Sequence, residues 1–180
     1  MTDNPPDLRD KIVENRGTIK KLQLLVPGLK EYRTLEDIRA ADQLLRKQVS
    51  DKLGDSKSKL EDLRNAMTNK GDLANLTLVG TAISQIQQVA GSVMHAQQGS
   101  AGISPNIRID DNTLSKLYDY DLNFVNSAQQ IFSLTSNSIT EYNSGTSSQD
   151  IISKITSMID DFKSAWKKRL DSVENILVTK

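Results

Sequence analysis

The chain has 180 residues, with 23 Lys plus Arg against 23 Asp plus Glu, no cysteine and a single histidine. A net charge of zero supplies no global field toward nucleic acid or anionic lipid, and the missing thiols exclude disulfides, thiolate catalysis and cysteine-ligated zinc. Leu, Ile, Val and Phe make up about a quarter of the chain, enough for a core, while one Trp, four Tyr and three Phe suit long helices that bury narrow aliphatic seams.

The expectation is one all-α domain over residues 1–180, an elongated antiparallel helical bundle or coiled coil of about five helices. No period of about 20 to 50 residues recurs, so the chain does not read as a solenoid. "MTDNPPDLRDKIVENRG" lacks the basic-then-apolar order of a secretory signal. No run reaches the roughly 18 apolar residues of a membrane span, so a cytoplasmic protein is expected.

The first helix is predicted over residues 7–25, with Leu8, Ile12, Ile19 and Leu22 at helical spacing. "VPGLKEY" ends it, because Pro27 lacks a donor and Gly28 allows a turn. Thr34 and Asp37 resemble a capping pair that opens a second helix, 34–70. Leu35, Ile38, Asp42, Leu45 and Val49 form its first seam, and Leu60, Leu63 and Met67 its second. Between them "KLGDSKSKL" shifts the phase, so Gly54 is expected to mark a kink or break.

Gly71 stops this helix and Asp72 reads as the N-cap of the third, 72–95. Here Leu76, Val79, Ile83, Ile86, Ala90 and Val93 keep a coiled-coil rhythm. No Asp, Glu, Lys or Arg occurs from Leu73 to Ile107. A central helix contacted on several sides is one reading. A partner face made by Val79, Ile83, Ile86 and Gln87 is the other, and the 97–105 loop is a further docking candidate. The fourth helix, 111–142, places Leu114, Leu117, Asp121, Val125, Ala128, Phe132 and Ile139 on one face. The fifth, 150–178, aligns Ile152, Ile155, Ile159, Phe162, Trp166, Val173 and Ile176.

Two aspartates therefore sit inside apolar seams. Arg39 and Arg46 flank Asp42 at offsets of minus three and plus four, within reach along the helix. Burying both seams together assembles Arg39, Asp42, Arg46 and Asp121, two positive and two negative groups. A lone buried carboxylate is costly, whereas one held by a guanidinium fork is tolerated. The expected role is a structural polar cluster that sets how the second helix docks on the fourth.

Signals for catalysis are poor. His95 has no glutamate three residues before it, so no di-metal motif forms, and a solvent-facing position is expected. Asp119 and Asp121 point roughly 200° apart on a helix and cannot share an ion. "GSAG" lacks the Lys of a phosphate loop, and no Gly-x-Ser-x-Gly elbow occurs. No catalytic residue, metal or cofactor is assigned. Trp166 beside Lys167, Lys168 and Arg169 suggests either a solvated basic triplet next to a packed Trp or a membrane-surface contact.

"PGLKEYRTLEDIRAADQLLR" and the later "LSKLYDYDL" carry Pro27, Gly28, Tyr32, Glu36, Arg39, Asp42 and Arg46, then Leu117, Tyr118, Asp121 and Leu122. In these strings the chain resembles a family of uncharacterised helical proteins of bacteria and archaea, bearing Pro-Gly-x-x-x-Tyr, Glu-x-x-Arg-x-x-Asp-x-x-x-Arg and Leu-Tyr-x-x-Asp motifs. The strings cover about 30 residues, and the neutral middle departs from the family's more charged pattern. The resemblance implies architecture and no activity. The functional expectation is a non-enzymatic interaction or scaffold protein that meets protein partners, including itself, and no nucleic acid. A peripheral membrane protein comes second and an enzyme with an Arg/Asp site third.

Overall fold

A computed structural model describes residues 8–31, 35–96 and 111–178, with side chains described over 16–31, 36–96 and 112–172. Tyr32, the Thr34 cap, the 97–105 loop and the side chains of Leu8, Ile12, Leu35, Val173 and Ile176 lie outside them. Among the described residues five helices form: α1 (Leu8–Leu25), α2 (Leu35–Asn69), α3 (Leu76–His95), α4 (Asp111–Asn143) and α5 (Ser148–Val178). No strand occurs among the described residues.

Pro27 and Gly28, at φ +89°, make the turn after α1, closed by Leu29 N–H donating to the Val26 carbonyl at 3.2 Å. Gln48 of α2 donates its side-chain amide to the Pro27 carbonyl at 3.2 Å and fixes this turn against the bundle.

α2 runs unbroken through Gly54, so the expected break is absent. The reason is Ser56. It is fully buried, occupies the seam position between Leu53 and Leu60, and turns its hydroxyl back to the Lys52 carbonyl at 2.9 Å. The seam is therefore one continuous stripe with a small polar residue in it. At about 1.5 Å per residue, α2 is about 52 Å long.

Both tight connections end their first helix in the same way. Gly71 (φ +75°) lets Asp72 N–H reach the Met67 carbonyl and Gly71 N–H reach that of Thr68, both at 3.0 Å. Gly145 (φ +99°) lets Thr146 N–H reach Glu141 and Gly145 N–H reach Tyr142, at 3.0 and 3.2 Å. Two antiparallel hairpins result, α2–α3 and α4–α5. α2 packs on α3 and α4, and α5 packs on α4 and α3, which leaves α2 and α5 on one diagonal of a four-helix bundle. α1 lies against α4. The core includes Leu22 of α1, Leu45, Leu60 and Leu63 of α2, Val79 and Val93 of α3, Phe124 and Ile131 of α4, and Phe162 of α5.

α3 starts later than expected, at Leu76, and Asn75 occupies its N-cap without a side-chain capping bond. Asp72 is not that cap. Its Oδ2 accepts hydrogen bonds from Ser148 Oγ at 2.7 Å and Tyr142 O–H at 3.4 Å, while Asn75 Nδ2 donates to Ser148 Oγ at 3.0 Å. The α2–α3 connection is thereby latched to the α4–α5 connection at one end of the bundle.

Candidate functional site

The opposite end holds the charged residues that the seams contain. Asp42 on α2 and Asp121 on α4 are both buried, and a single guanidinium joins them. Arg169 of α5 donates from Nη1 to Asp42 Oδ1 at 2.7 Å and from Nε to Asp121 Oδ1 at 2.6 Å. Arg46, one turn after Asp42, brings its Nε within 2.9 Å of Asp42 Oδ2. That N–H is not directed along the contact, which is an ion pair without hydrogen-bond geometry. From Nη1, Arg46 donates to the carbonyl of Ala96, just past the end of α3. All four bundle helices thus meet in one network.

Burial makes these contacts strong. Arg169 is 2% exposed and Asp121 1%. The guanidinium lies over aromatic faces, 5.2 Å from the Phe124 ring and 5.8 Å from Trp166, whose rings stack at 5.0 Å. Trp166 and Arg169 are three residues apart and so share one face of α5. Arginine keeps its charge when desolvated and offers several donors in one plane, so it can serve two carboxylates on different helices.

Of the four residues expected in the cluster, Asp42, Arg46 and Asp121 come together. Arg39 does not join them by an ion pair. It is half-buried, and its Nε is enclosed with no hydrogen-bond partner. Arg169 takes the place given to it. The periodic signal for Arg169 is present in the sequence, because Ile155, Ile159, Phe162, Trp166 and Arg169 continue one 4-3-4-3 stripe.

Two other expectations are corrected. Val79, Ile83 and Ile86 are core residues at 0%, 7% and 1% exposure, so they offer nothing to a partner; of that set only Gln87 faces solvent. The flanks of α3 are uncharged, so charge alone does not mark its buried side, yet its larger apolar side chains point mainly to one side. Trp166 and Arg169 likewise face inward, and only Lys167 and Lys168 remain at the surface, so the four cannot form a membrane contact. No helix among the described residues is long and apolar enough to cross a membrane.

His95 is exposed, and so is Asp119, whereas Asp121 points inward. Among the described residues no group of three His, Asp or Glu side chains is placed to hold a metal ion. A groove of about 290 Å³ opens on the back of α2, lined by Gly28, Leu29, Lys30, Glu36, Asp37, Ala40, Ala41 and Leu44, and contains none of the network residues.

At the latched end, the Tyr142 hydroxyl is held above its ordinary pKa of 10.0, by partial burial first, then by the negative charge of Asp72 and the hydrogen bond to it. Lys70 Nζ lies 4.6 Å from the centre of the Tyr142 ring.

Comparison of the chain with protein-family models, curated proteins and solved structures finds no match.

Proposed function

We propose that this protein is a non-enzymatic helical scaffold whose copies associate through the outer face of α3. The observation that supports this reading is the chemistry of that face. Thr77, Thr81, Ser84, Gln87, Gln88 and Ser92 are exposed along it, together with His95. Leu78 and Met94 flank it at 42% and 46% exposure. It carries no Asp, Glu, Lys or Arg, whereas α1, α2 and α5 present such groups to solvent.

A face without ionic groups suits a second copy of itself. A two-fold contact brings each patch against its own image, and charges there would meet like charges. Hydroxyl and amide side chains both donate and accept, so each can pair with its own kind across the axis. Zero net charge removes long-range repulsion between copies. The paired aspartates of the buried network fit the same reading, because their oxygens are engaged in holding helices together.

Sedimentation velocity across a range of concentrations tests this. The parent chain is expected to shift from monomer to dimer, and Gln88→Glu, which places like charges across the contact, to remain monomeric. A parent chain that is monomeric throughout, or a Gln88→Glu variant that associates equally well, overturns the proposal.

A further inference from the structure

The outer face of α3 has a midline. At about 100° per residue, Thr77, Thr81, Ser84, Gln88, Gly91 and His95 follow one 4-3-4-3-4 stripe on the side of the helix opposite the buried Val79, Ile86 and Val93. The direction in which a second helix runs along this line depends on what each position offers it.

Two positions offer acceptors. Thr81 Oγ1 donates to the Thr77 carbonyl at 2.9 Å and Ser84 Oγ to that of Gly80 at 3.0 Å, so while these bonds hold both hydroxyl hydrogens are taken. In a parallel two-fold pair every midline residue meets its own copy, which sets acceptor against acceptor at Thr81 and at Ser84. In an antiparallel pair centred on Ile86, Ser84 instead meets Gln88 of the second copy, whose amide donates.

Size points the same way. Glycine is disfavoured inside a helix, and among the described residues nothing lies within 4 Å of a methyl group added at Gly91, so packing within the bundle does not account for it. A parallel pair would place Gly91 against Gly91 between Gln88 against Gln88 and His95 against His95, long pairs that hold the helices apart around a gap. The antiparallel pair places Thr81 against Gly91, Ser84 against Gln88 and Thr77 against His95, and no level carries two long side chains. It also opposes the helix dipoles.

We propose that the second copy lies with its α3 antiparallel to the first, in the register centred on Ile86. The proposal rests on the reading that copies meet through this face.

Thr77→Glu combined with His95→Lys in one chain tests the direction. Both positions are exposed, and an acid in the first turn and a base in the last each favour the helix, so the fold is kept. Sedimentation equilibrium at low salt gives the dimer Kd of the parent and of the double variant. In the antiparallel pair each Glu meets a Lys, twice by symmetry, and Kd is expected to fall by about 3- to 10-fold. A parallel pair sets like charges together at both levels and raises it. A Kd that rises or stays unchanged overturns the antiparallel arrangement while the parent dimer stands; a parent chain that is monomeric throughout removes the self-association reading, and this proposal with it. The chain has no cysteine, so mild oxidation of Thr77→Cys and His95→Cys chains gives a second readout. A disulfide is expected in their mixture and in neither alone, and Thr77→Cys chains that link to themselves overturn the proposal.

Discussion

Arg169 and Asp42 are 127 positions apart in the chain, and their side chains meet at 2.7 Å across the diagonal of the bundle. The same guanidinium holds Asp121, so one side chain ties together three helices that come from both hairpins. Specific docking follows from the penalty for error. Sliding α5 by one turn would part the buried Arg169 from both carboxylates and leave Asp42 to Arg46 alone, whereas an all-aliphatic seam tolerates such a slip far better.

Removal of one partner should therefore be severe. Asp121→Ala leaves Arg169 buried without its Nε acceptor and is expected to lower the unfolding free energy by about 3–5 kcal/mol. Asp51→Ala, which breaks the exposed Lys47–Asp51 pair, is expected to change it by less than about 1 kcal/mol. Urea unfolding of the two variants checks the contrast. Equal effects would mean that the network contributes no more than a surface pair. Combining Asp121→Ala with Arg169→Met should recover part of the loss, because the stranded charge is then gone.

Glycine replacements should have opposite signs at different sites. Gly71 and Gly145 sit at positive φ, where an alanine side chain is strained, and each Gly→Ala change there is expected to cost about 1–2 kcal/mol. Gly54 lies inside α2 with open space around an added methyl group. Gly54→Ala is therefore expected to stabilise by up to about 1 kcal/mol. Thermal midpoints that fall for the first two and rise for the third agree with this, and a fall for Gly54→Ala contradicts an unbroken α2.

The latch around Asp72 should be visible in alkali. The folded state favours the protonated phenol of Tyr142, so the group binds its proton more tightly folded than unfolded. Its contribution to stability is complete below pH about 10 and is lost as pH rises through the folded value. A tyrosinate absorbance titration is expected to show a component above the ordinary range. Tyr142→Phe should remove that component, and Asp72→Asn should move it down.

Much of this architecture is legible in the sequence because seams of Leu, Ile and Val at three- and four-residue spacing can bury themselves only as helices. The inward aspartates are legible for the same reason, as charges at Asp42 and Asp121 interrupt such seams. Arg169 is harder to read. It follows Lys167 and Lys168, and a basic triplet suggests a solvated surface, although only its third member continues the Trp166 stripe. The acceptors that justify burying it lie on α2 and α4, and spacing along α5 carries no information about them. Ser56 hides similarly, since a hydroxyl in a seam looks like an interruption until its bond to the Lys52 carbonyl is seen. Arg39 and Arg46 have nearly equal positions on their helix, and only the place where α3 ends separates them.

The position of Arg169 late in the chain also orders events during synthesis. While a nascent polypeptide stops short of that residue, Asp42 and Asp121 lack the guanidinium that joins them, even with α2, α3 and α4 already made. The three earlier bundle helices can gather loosely on the ribosome, but their final registration waits for α5 to emerge.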